Sequence, residues 1–470
     1  MPRSSVFNAT APARVPRSIF DLSHQHLMTG DLGYLYPVMA LDCVPGDVMD
    51  ISHELVVRFQ PLVAPVLHEV NAYVHTFFCP WRLVDSDFEK LVTGGEDGTE
   101  APTVELWGPT TKAVGSLWDH FGFPTGSVVV SGIQPHTMLP NAYIKIYNEW
   151  FRDQLLVSEV ADITATDDGD IQKRSWEKDY FTSALPTLQK GTAPALPVTL
   201  SGTIDVDGQN ATITGHSAGD ATVRDLNVTD VGSAGLYLQG YPSSSSSAFR
   251  WTDPQLEVDI SSGTATTFDI SDLRLALAQQ VILERNNRAG SRYTEWLQAH
   301  FRVAPRDERL DRPEFIGSFR APVIMSEVLQ TSASNLTGGS TPLAEQAGHG
   351  ITVEKGRIGR YRCQEFGVIM SILSVMPRTV YSQGIDRQWI KATKWDFYNP
   401  ALAHLSEQAV LEGEIYANTG TNENQTIFGY QPRWNEMRYV QSKFVAKMRS
   451  GQTFDHWHIG RDFTGRPSLN

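Results

Sequence analysis

Cysteine is scarce in this chain: 470 residues hold three, Cys43, Cys79 and Cys363, with no CxxC pair and no histidines set beside them. That excludes a disulfide framework and a thiolate zinc site, and fits a reducing compartment. Long apolar runs are missing too. Nothing approaches the roughly 18 to 20 consecutive apolar residues that cross a bilayer, so no stable membrane insertion is expected. The opening Met1-Pro-Arg-Ser-Ser-Val-Phe lacks the apolar core of a signal peptide, and synthesis in the cytosol is the expectation. Positive charge is in deficit, 39 Lys and Arg against 53 Asp and Glu, a net charge of -14. A surface that embraces nucleic acid throughout is therefore excluded, and any DNA contact must be local. Catalytic signatures are absent as well: there is no GxSxG, no HExxH and no GxxxxGK[ST]. Gly356-Arg-Ile-Gly359 lacks the third glycine and the helical context of a dinucleotide loop. No repeat of about 20 to 50 residues is visible. The expectation is a protein that is not an enzyme and carries no cofactor.

What is present is ordinary globular composition, 41% hydrophobic and 20% charged, with 26 Pro and 37 Gly scattered along the chain. Such punctuation suits many short elements in a loop-rich β protein. Residues 1–50 alternate Pro, Gly and polar residues with isolated apolar ones and read as an extended arm. Residues 51–470 read as one domain. Strands are expected over Glu54 to Val63 and Val70 to Phe78, both rich in Val, Phe, Tyr and Thr. Another is expected over Phe366 to Val375, nearly all apolar and so buried on both faces. Period-two alternation from residue 437 to 448 predicts a late strand. Two helices interrupt the strands. One follows Pro140-Asn141, with Asn141 as N-cap and Tyr143, Ile144, Tyr147, Trp150, Phe151 and Leu155 at helical spacing. The other runs from Ser271 to Ala289, capped by Ser271 and stopped by Gly290. Between about Leu200 and Thr264 the composition turns to Gly, Ser, Thr, Asp and Asn, with the tract Ser243 to Ser247. This reads as an exposed insertion carrying β-hairpins rather than as a linker.

Three kinds of cluster qualify as candidate sites. His24-x-His26 and His456-x-His458 each place two imidazoles on one strand face, yet two ligands do not make a metal site, so hydrogen-bonded histidines are expected. Asp167-Asp168-Gly169-Asp170 lacks the spaced ligands and closing Glu of a calcium loop and reads as a solvated turn. The third cluster is distinctive. Arg274 to Arg320 holds nine Arg and no Lys, among Glu284, Glu295, Asp307, Glu308, Asp311 and Glu314. Arginine grips carboxylates or phosphates with two parallel hydrogen bonds, where lysine offers a point charge. Arg274, Arg285, Arg288, Arg292, Arg302, Arg306, Arg309 and Arg312 are therefore candidates for subunit-interface or DNA contacts. The accompanying acids favour ion pairs that fix loops and interfaces over DNA contact.

Ordered motifs then give the chain a family likeness. Phe20-Asp-Leu-Ser-His24, Pro45-Gly-Asp47, Phe77-Phe-Cys-Pro-Trp-Arg82, Leu139-Pro-Asn-Ala-Tyr143, Asn148-Glu-Trp-Phe-Arg-Asp153 and Asp179-Tyr-Phe-Thr-Ser-Ala-Leu-Pro186 occur in this order. Asp272-Leu-Arg274, Leu283-Glu-Arg285, Gly290-Ser-Arg-Tyr293, Arg312-Pro-Glu-Phe-Ile-Gly317, Gln330-Thr-Ser332, Gly429-Tyr-Gln431, Arg433-Trp-Asn-Glu436 and Trp457-His458 continue it. Together they resemble the major capsid proteins of gokushovirus-type microviruses over nearly the whole chain. The resemblance implies an all-β fold with helical insertions, an eight-stranded antiparallel jelly roll with long inter-strand loops. It implies assembly into a T=1 icosahedral shell around circular single-stranded DNA, and hence a virion location after synthesis in the host bacterial cytoplasm. A small basic DNA-packaging protein and a pilot or vertex protein are further expected partners. The likeness is weakest over residues 200–264, where the family carries an insertion projecting at the threefold axes. Contact with the bacterial host surface is expected there, through residues the sequence does not single out.

Two other readings compete. A jelly-roll receptor- or carbohydrate-binding protein shares the β architecture, the acidic charge and the Ser/Gly-rich loops, but stops short of a closed shell. A carbohydrate-active enzyme needs paired carboxylates, and the sequence offers no preferred pair.

Overall fold

A computed structural model of the chain describes residues 18–469 apart from 63, 98, 127–132, 195–199, 202–226, 231–235, 240–263, 266–269, 291, 305, 330–345, 404, 406 and 420–421. Its strands are β1 (Tyr36–Cys43), β2 (Val48–Arg58), β3 (Val70–Pro80), β4 (Leu200–Ser201), β5 (Asn227–Asp230), β6 (Leu236–Gln239), β7 (Thr264–Ala265), β8 (Glu314–Leu329), β9 (Gln346–Arg362), β10 (Gly367–Pro377), β11 (Glu407–Leu411) and β12 (Ile427–Pro432). The helices are α1 (Phe88–Thr93), α2 (Leu117–His120), α3 (Met138–Ile146), α4 (Ile270–Ala289), α5 (Tyr293–Phe301) and α6 (Glu412–Ile415). The chain divides into two compact units, Met1–Gly191 with Leu283–Asn470, and Thr192–Ile282.

The first unit is built on a six-stranded antiparallel sheet in the order β1-β10-β3-β8-β9-β2. Its curl comes from the β8–β9 hairpin. The two strands pair only over Ile324–Leu329 and Gln346–Ile351. Beyond that, Glu314–Val323 pairs with β3 and Ile351–Arg362 pairs with β2. The opened hairpin lets β2 lie across from β10, and the His53 ring meets the Ser371 hydroxyl at 2.9 Å. Gly317 and Gly356 permit this close passage, since a Cβ on Gly317 would sit 2.8 Å from the Ile358 carbonyl and one on Gly356 would sit 2.4 Å from the Phe319 ring.

Strand periodicity sends alternate residues to opposite faces. Ala72, Val74 and Phe78 of β3 and Ile369 and Leu373 of β10 line the inside of the curl, with Ile51, Cys43 and Cys363. Phe77, Cys79, Val368, Met370 and Ile372 line the outside, covered by Ala142, Tyr143, Ile144 and Ile146 of α3 and by Trp107 and Trp118. Strand β10 is buried on both faces as its apolar run predicts. Antiparallel pairing, two covered faces and few helices give the all-β architecture expected of a viral capsid jelly roll.

Several local expectations change. Within the arm expected over residues 1–50, residues 1–17 lie outside the described residues and β1 already belongs to the main sheet, paired with β10. Asn141 is not an N-cap. The helix starts a turn earlier at Met138 after Thr137, because Pro140 is tolerated in a first turn that needs no donor from it. Asn141 instead uses its carboxamide to receive the Ile163 N–H at 2.6 Å and to donate to the Ile163 carbonyl at 3.1 Å. Ser271 lies inside α4, which begins at Ile270, while Gly290 adopts φ 98° just past its end as a left-handed stop.

The late strand over 437–448 does not form. Turns at Asn435–Met437 and Ala446–Met448 bracket an extended segment whose one bridge joins Lys443 to Tyr381. Period-two alternation needs a neighbouring strand to become a ladder, and among the described residues none pairs with this segment.

In the second unit, β4 pairs with β7 and β5 pairs with β6, both antiparallel. The first pair brings together the two ends of the expected insertion at 200–264, and the second is a hairpin within it. The tract Ser243 to Ser247 and most of the remainder, like Gln330-Thr-Ser332, lie outside the described residues.

Candidate functional site

One histidine of each pair and the acidic turn are engaged locally. The Nδ1 of His24 lies 2.9 Å from the Leu22 carbonyl. At His458, Nε2 meets the Met448 carbonyl at 2.6 Å and Nδ1 receives the Gly460 N–H at 2.9 Å, while the ring stacks on Phe444. Both of its nitrogens are thus taken. Asp168 accepts the Thr111 N–H at 3.1 Å, and Gly169 turns the chain at φ 68°. Among the described residues no group of three His, Cys, Asp or Glu could hold a metal ion, and no helix is long and apolar enough to cross a membrane.

The arginine segment divides into two classes. Arg292 and Arg312 are nearly buried and gather three of the sequence motifs. Arg292 donates from Nη2 to the carbonyls of Asn148 and Arg152, both at 3.0 Å, and from Nη1 to Glu295 at 3.3 Å. Its backbone N–H also reaches Glu295, so the pair caps α5. Arg312 holds its guanidinium 3.9 Å over the Trp150 ring, lies 3.2 Å from Asp307 and donates to Thr294 at 3.0 Å. Trp150 donates its indole N–H to the Pro313 carbonyl at 2.9 Å. Asn148–Asp153, Gly290–Tyr293 and Arg312–Gly317 are therefore one cluster in space. Arg288 pairs with the buried Glu407 at 2.9 Å, whose carboxyl burial pushes above the usual carboxylate range.

Arg274, Arg285, Arg302, Arg306 and Arg309 form the other class. They are exposed, and no ion pair engages them among the described residues. Arg302 and Arg306 contribute backbone instead, ending α5 in the left-handed region and preceding the turn at Asp307–Leu310.

A second cluster joins Asp179–Pro186 to Gly429–Gln431. Asp179 accepts the N–H groups of Phe181 and Thr182 at 2.9 and 2.8 Å and the Tyr381 hydroxyl at 2.6 Å. Gln431 donates to the Tyr180 carbonyl at 2.7 Å and to Ser183 at 3.0 Å, and receives Asn435 at 2.7 Å. Leu185 and Tyr430 exchange both backbone bonds at 2.8 Å. Beneath them the fully buried Glu414 takes Tyr180 and Arg387, each at 2.9 Å, with its carboxyl raised by burial. Its neighbours satisfy the charge that burial would otherwise expose.

The sequence reading misses Arg82, which bridges Glu365 and Asp311 at 2.7 Å each, and the network around Asp179 and Glu414. No spacing rule pairs residues so far apart in the chain. It also passes over residues 385–398, where aromatic side chains interleave with Lys and Arg, a signal that composition does carry.

Comparison with known proteins agrees with this architecture. Residues 9–470 match the family model described as capsid protein (F protein). The chain is 33% identical to the capsid protein VP1 of Bdellovibrio phage phiMH2K, covering 97% of this chain and 87% of that protein. It is 29% identical to capsid protein VP1 of Chlamydia phage 1, over 99% and 90% of the two chains. It is 30% identical to capsid protein VP1 of Spiroplasma virus 4, over 97% and 87%.

Proposed function

Because the chain belongs to the capsid protein (F protein) family, we propose that this major capsid protein closes a T=1 icosahedral shell around circular single-stranded DNA. The observation that carries the reading is coverage: the likeness to gokushovirus-type microvirus capsid proteins runs over nearly the whole chain rather than one segment. The family gives the chain a structural role, in a homo-oligomeric shell and so in the virion. The geometry supports a division of labour among the arginines. Arg292 fixes a long inter-strand connection through the Asn148 and Arg152 carbonyls, and Arg312 does so through the Trp150 ring. Arg274, Arg285, Arg302, Arg306 and Arg309 stay available to neighbouring subunits or to DNA.

A chain of net charge -14 does not neutralise a genome by itself, so a small basic packaging protein or counterions accompany the DNA. A pilot or vertex protein completes the expected particle. The 200–264 insertion contacts the bacterial host surface, a role that rests on its Ser/Gly/Thr-rich composition and on the paired β4 and β7 at its ends. Electron microscopy of the purified full-length chain tests the assembly. Uniform closed shells are expected, and a product that stops at a monomer or trimer would overturn the reading. Phage lacking residues 202–263 should form particles that adsorb poorly to host cells, and unchanged adsorption removes the host-contact role.

A further inference from the structure

Residues 385–398, Ile-Asp-Arg-Gln-Trp-Ile-Lys-Ala-Thr-Lys-Trp-Asp-Phe-Tyr, hold a concentration of exposed aromatic surface that the sheet and its clusters do not use. Trp389 is 74% exposed, Trp395 58%, Phe397 57% and Tyr398 52%. Water-facing aromatics at this density mark a contact surface. Cations are laid against them. The Lys394 ammonium sits 4.7 Å from the centre of the Trp395 ring and the Lys391 ammonium 5.4 Å from that of Phe397. Tyr398 packs edge-on at 5.6 Å against Trp434, which carries the Arg433 guanidinium at 5.2 Å.

The acids nearby engage groups other than these cations. Asp396 folds its carboxylate back onto the N–H groups of Ala392 and Thr393 and the Thr393 hydroxyl, at 3.1, 2.7 and 2.8 Å. Asp386 is paired with Lys443, and Glu436 receives Gln408 at 2.6 Å. Among the described residues no carboxylate pairs with Lys391, Lys394 or Arg433. In a chain whose overall charge is strongly negative, this surface joins exposed rings to cations that have no carboxylate partner among the described residues.

Unpaired cations beside stackable rings match one polymer chemistry, a flexible chain of phosphates with unstacked bases, because every base has a π face whatever its sequence. We infer that Trp389, Trp395, Phe397 and Tyr398, with Lys391, Lys394 and Arg433, form a sequence-tolerant binding platform for single-stranded DNA. The inference rests on the DNA-packaging reading above and assigns residues to it. The rings stack bases, and the lysines and Arg433 hold the phosphates between them. A second copy of the chain is the competing occupant, and its apolar contacts would be indifferent to salt.

The test uses the full-length chain and a fluorescein-labelled oligothymidylate, with anisotropy read over a salt series. Replacing Trp389 and Trp395 together by Ala should weaken binding by roughly tenfold or more while leaving the salt slope unchanged. Replacing Lys391 and Lys394 together by Gln should lower that slope by about 1.4, roughly 0.7 for each phosphate contact on a single strand. Trp395→Phe, which keeps a stacking face, should restore most of the affinity, and unchanged thermal midpoints would confirm that all variants fold. Variants that bind oligothymidylate as the parent does overturn the platform. So does an Ala variant that loses shell assembly with its DNA affinity intact, which assigns these rings to a subunit contact. The ultraviolet absorbance ratio of purified particles reports packaged DNA separately: DNA-filled particles with unaltered variant binding refute only these residues, whereas empty particles refute packaging itself.

Discussion

The guanidinium of Arg312 lies 3.9 Å from the centre of the Trp150 ring, while that ring's own N–H is held by the carbonyl of Pro313, the residue next to the arginine. One tryptophan thereby clamps two consecutive residues just ahead of β8. The clamp ties the long connection containing α3 to the strand on which the sheet begins to curl.

Arg312→Ala should destabilise the chain by about 3 kcal/mol, since it removes a desolvated cation from Trp150 and leaves Asp307 without its partner. Arg312→Lys should recover no more than about half of that, because an ammonium restores the charge but not the planar stacking face. The midpoint of urea unfolding measures both. Equal stability of the Lys variant and the parent would show that charge alone matters.

Gln431→Leu keeps the volume of a residue that is 2% exposed but removes the partner of the Tyr180 carbonyl and of the Asn435 carboxamide, and one of the hydrogen bonds to Ser183. A cost of about 2 kcal/mol is expected. Because Gln431 is the hinge between two distant segments, limited proteolysis should cut near Asp179–Pro186 first in this variant. A fragmentation pattern identical to the parent's would count against the network as a lock.

Acid should weaken the fold through His75. Burial, aided by the Arg174 charge, holds its imidazole down at about 4, and its ring lies edge-on to Phe151 at 5.6 Å. An unfolded histidine takes its proton near pH 6.5, so the stabilisation is complete above that value. It is lost progressively as pH falls from 6.5 towards 4, by up to about 3 kcal/mol. The raised carboxyls of Glu414 and Glu407 act with the opposite sign, since the folded state keeps their protons above the ordinary carboxylate value. His75→Gln should therefore flatten the decline in unfolding midpoint between pH 6.5 and 5, and a decline as steep as the parent's would exclude His75 as its source.

Arg306 and Arg309 should behave unlike Arg312. Both are exposed and without ion pairs among the described residues, so Arg306→Glu with Arg309→Glu should change folding stability by no more than about 0.5 kcal/mol. Their loss should appear in particle yield or DNA content, measured by sedimentation, and should grow as salt is lowered. Normal yield and content would remove these two arginines from the assembly and DNA surfaces.

Strong local patterns were legible without coordinates. The nearly all-apolar run Phe366 to Val375 becomes the doubly buried β10, because such a stretch too short for a helix has few other places to go, and Val70 to Phe78, rich in Val, Phe, Tyr and Thr, becomes its neighbour β3. Gly290 ends α4 where a left-handed residue was expected. The ordered motifs carried the family, and the arginine-only segment singled out Arg292 and Arg312 among its candidates.

Which arginine meets which partner was decided only by the tertiary structure. Arg292 and Arg312 are buried because α3 and the start of β8 converge on Trp150, while Arg306 and Arg309, a few residues away, face water. The alternating residues 437–448 fail as a strand for the complementary reason: alternation fixes which side chains share a face, but a ladder also needs a neighbour, and among the described residues the one bridge is to Tyr381. Sequence determines local preference, which depends on residues within a few positions. Pairing across the chain depends on which surfaces the curled sheet brings within hydrogen-bonding distance.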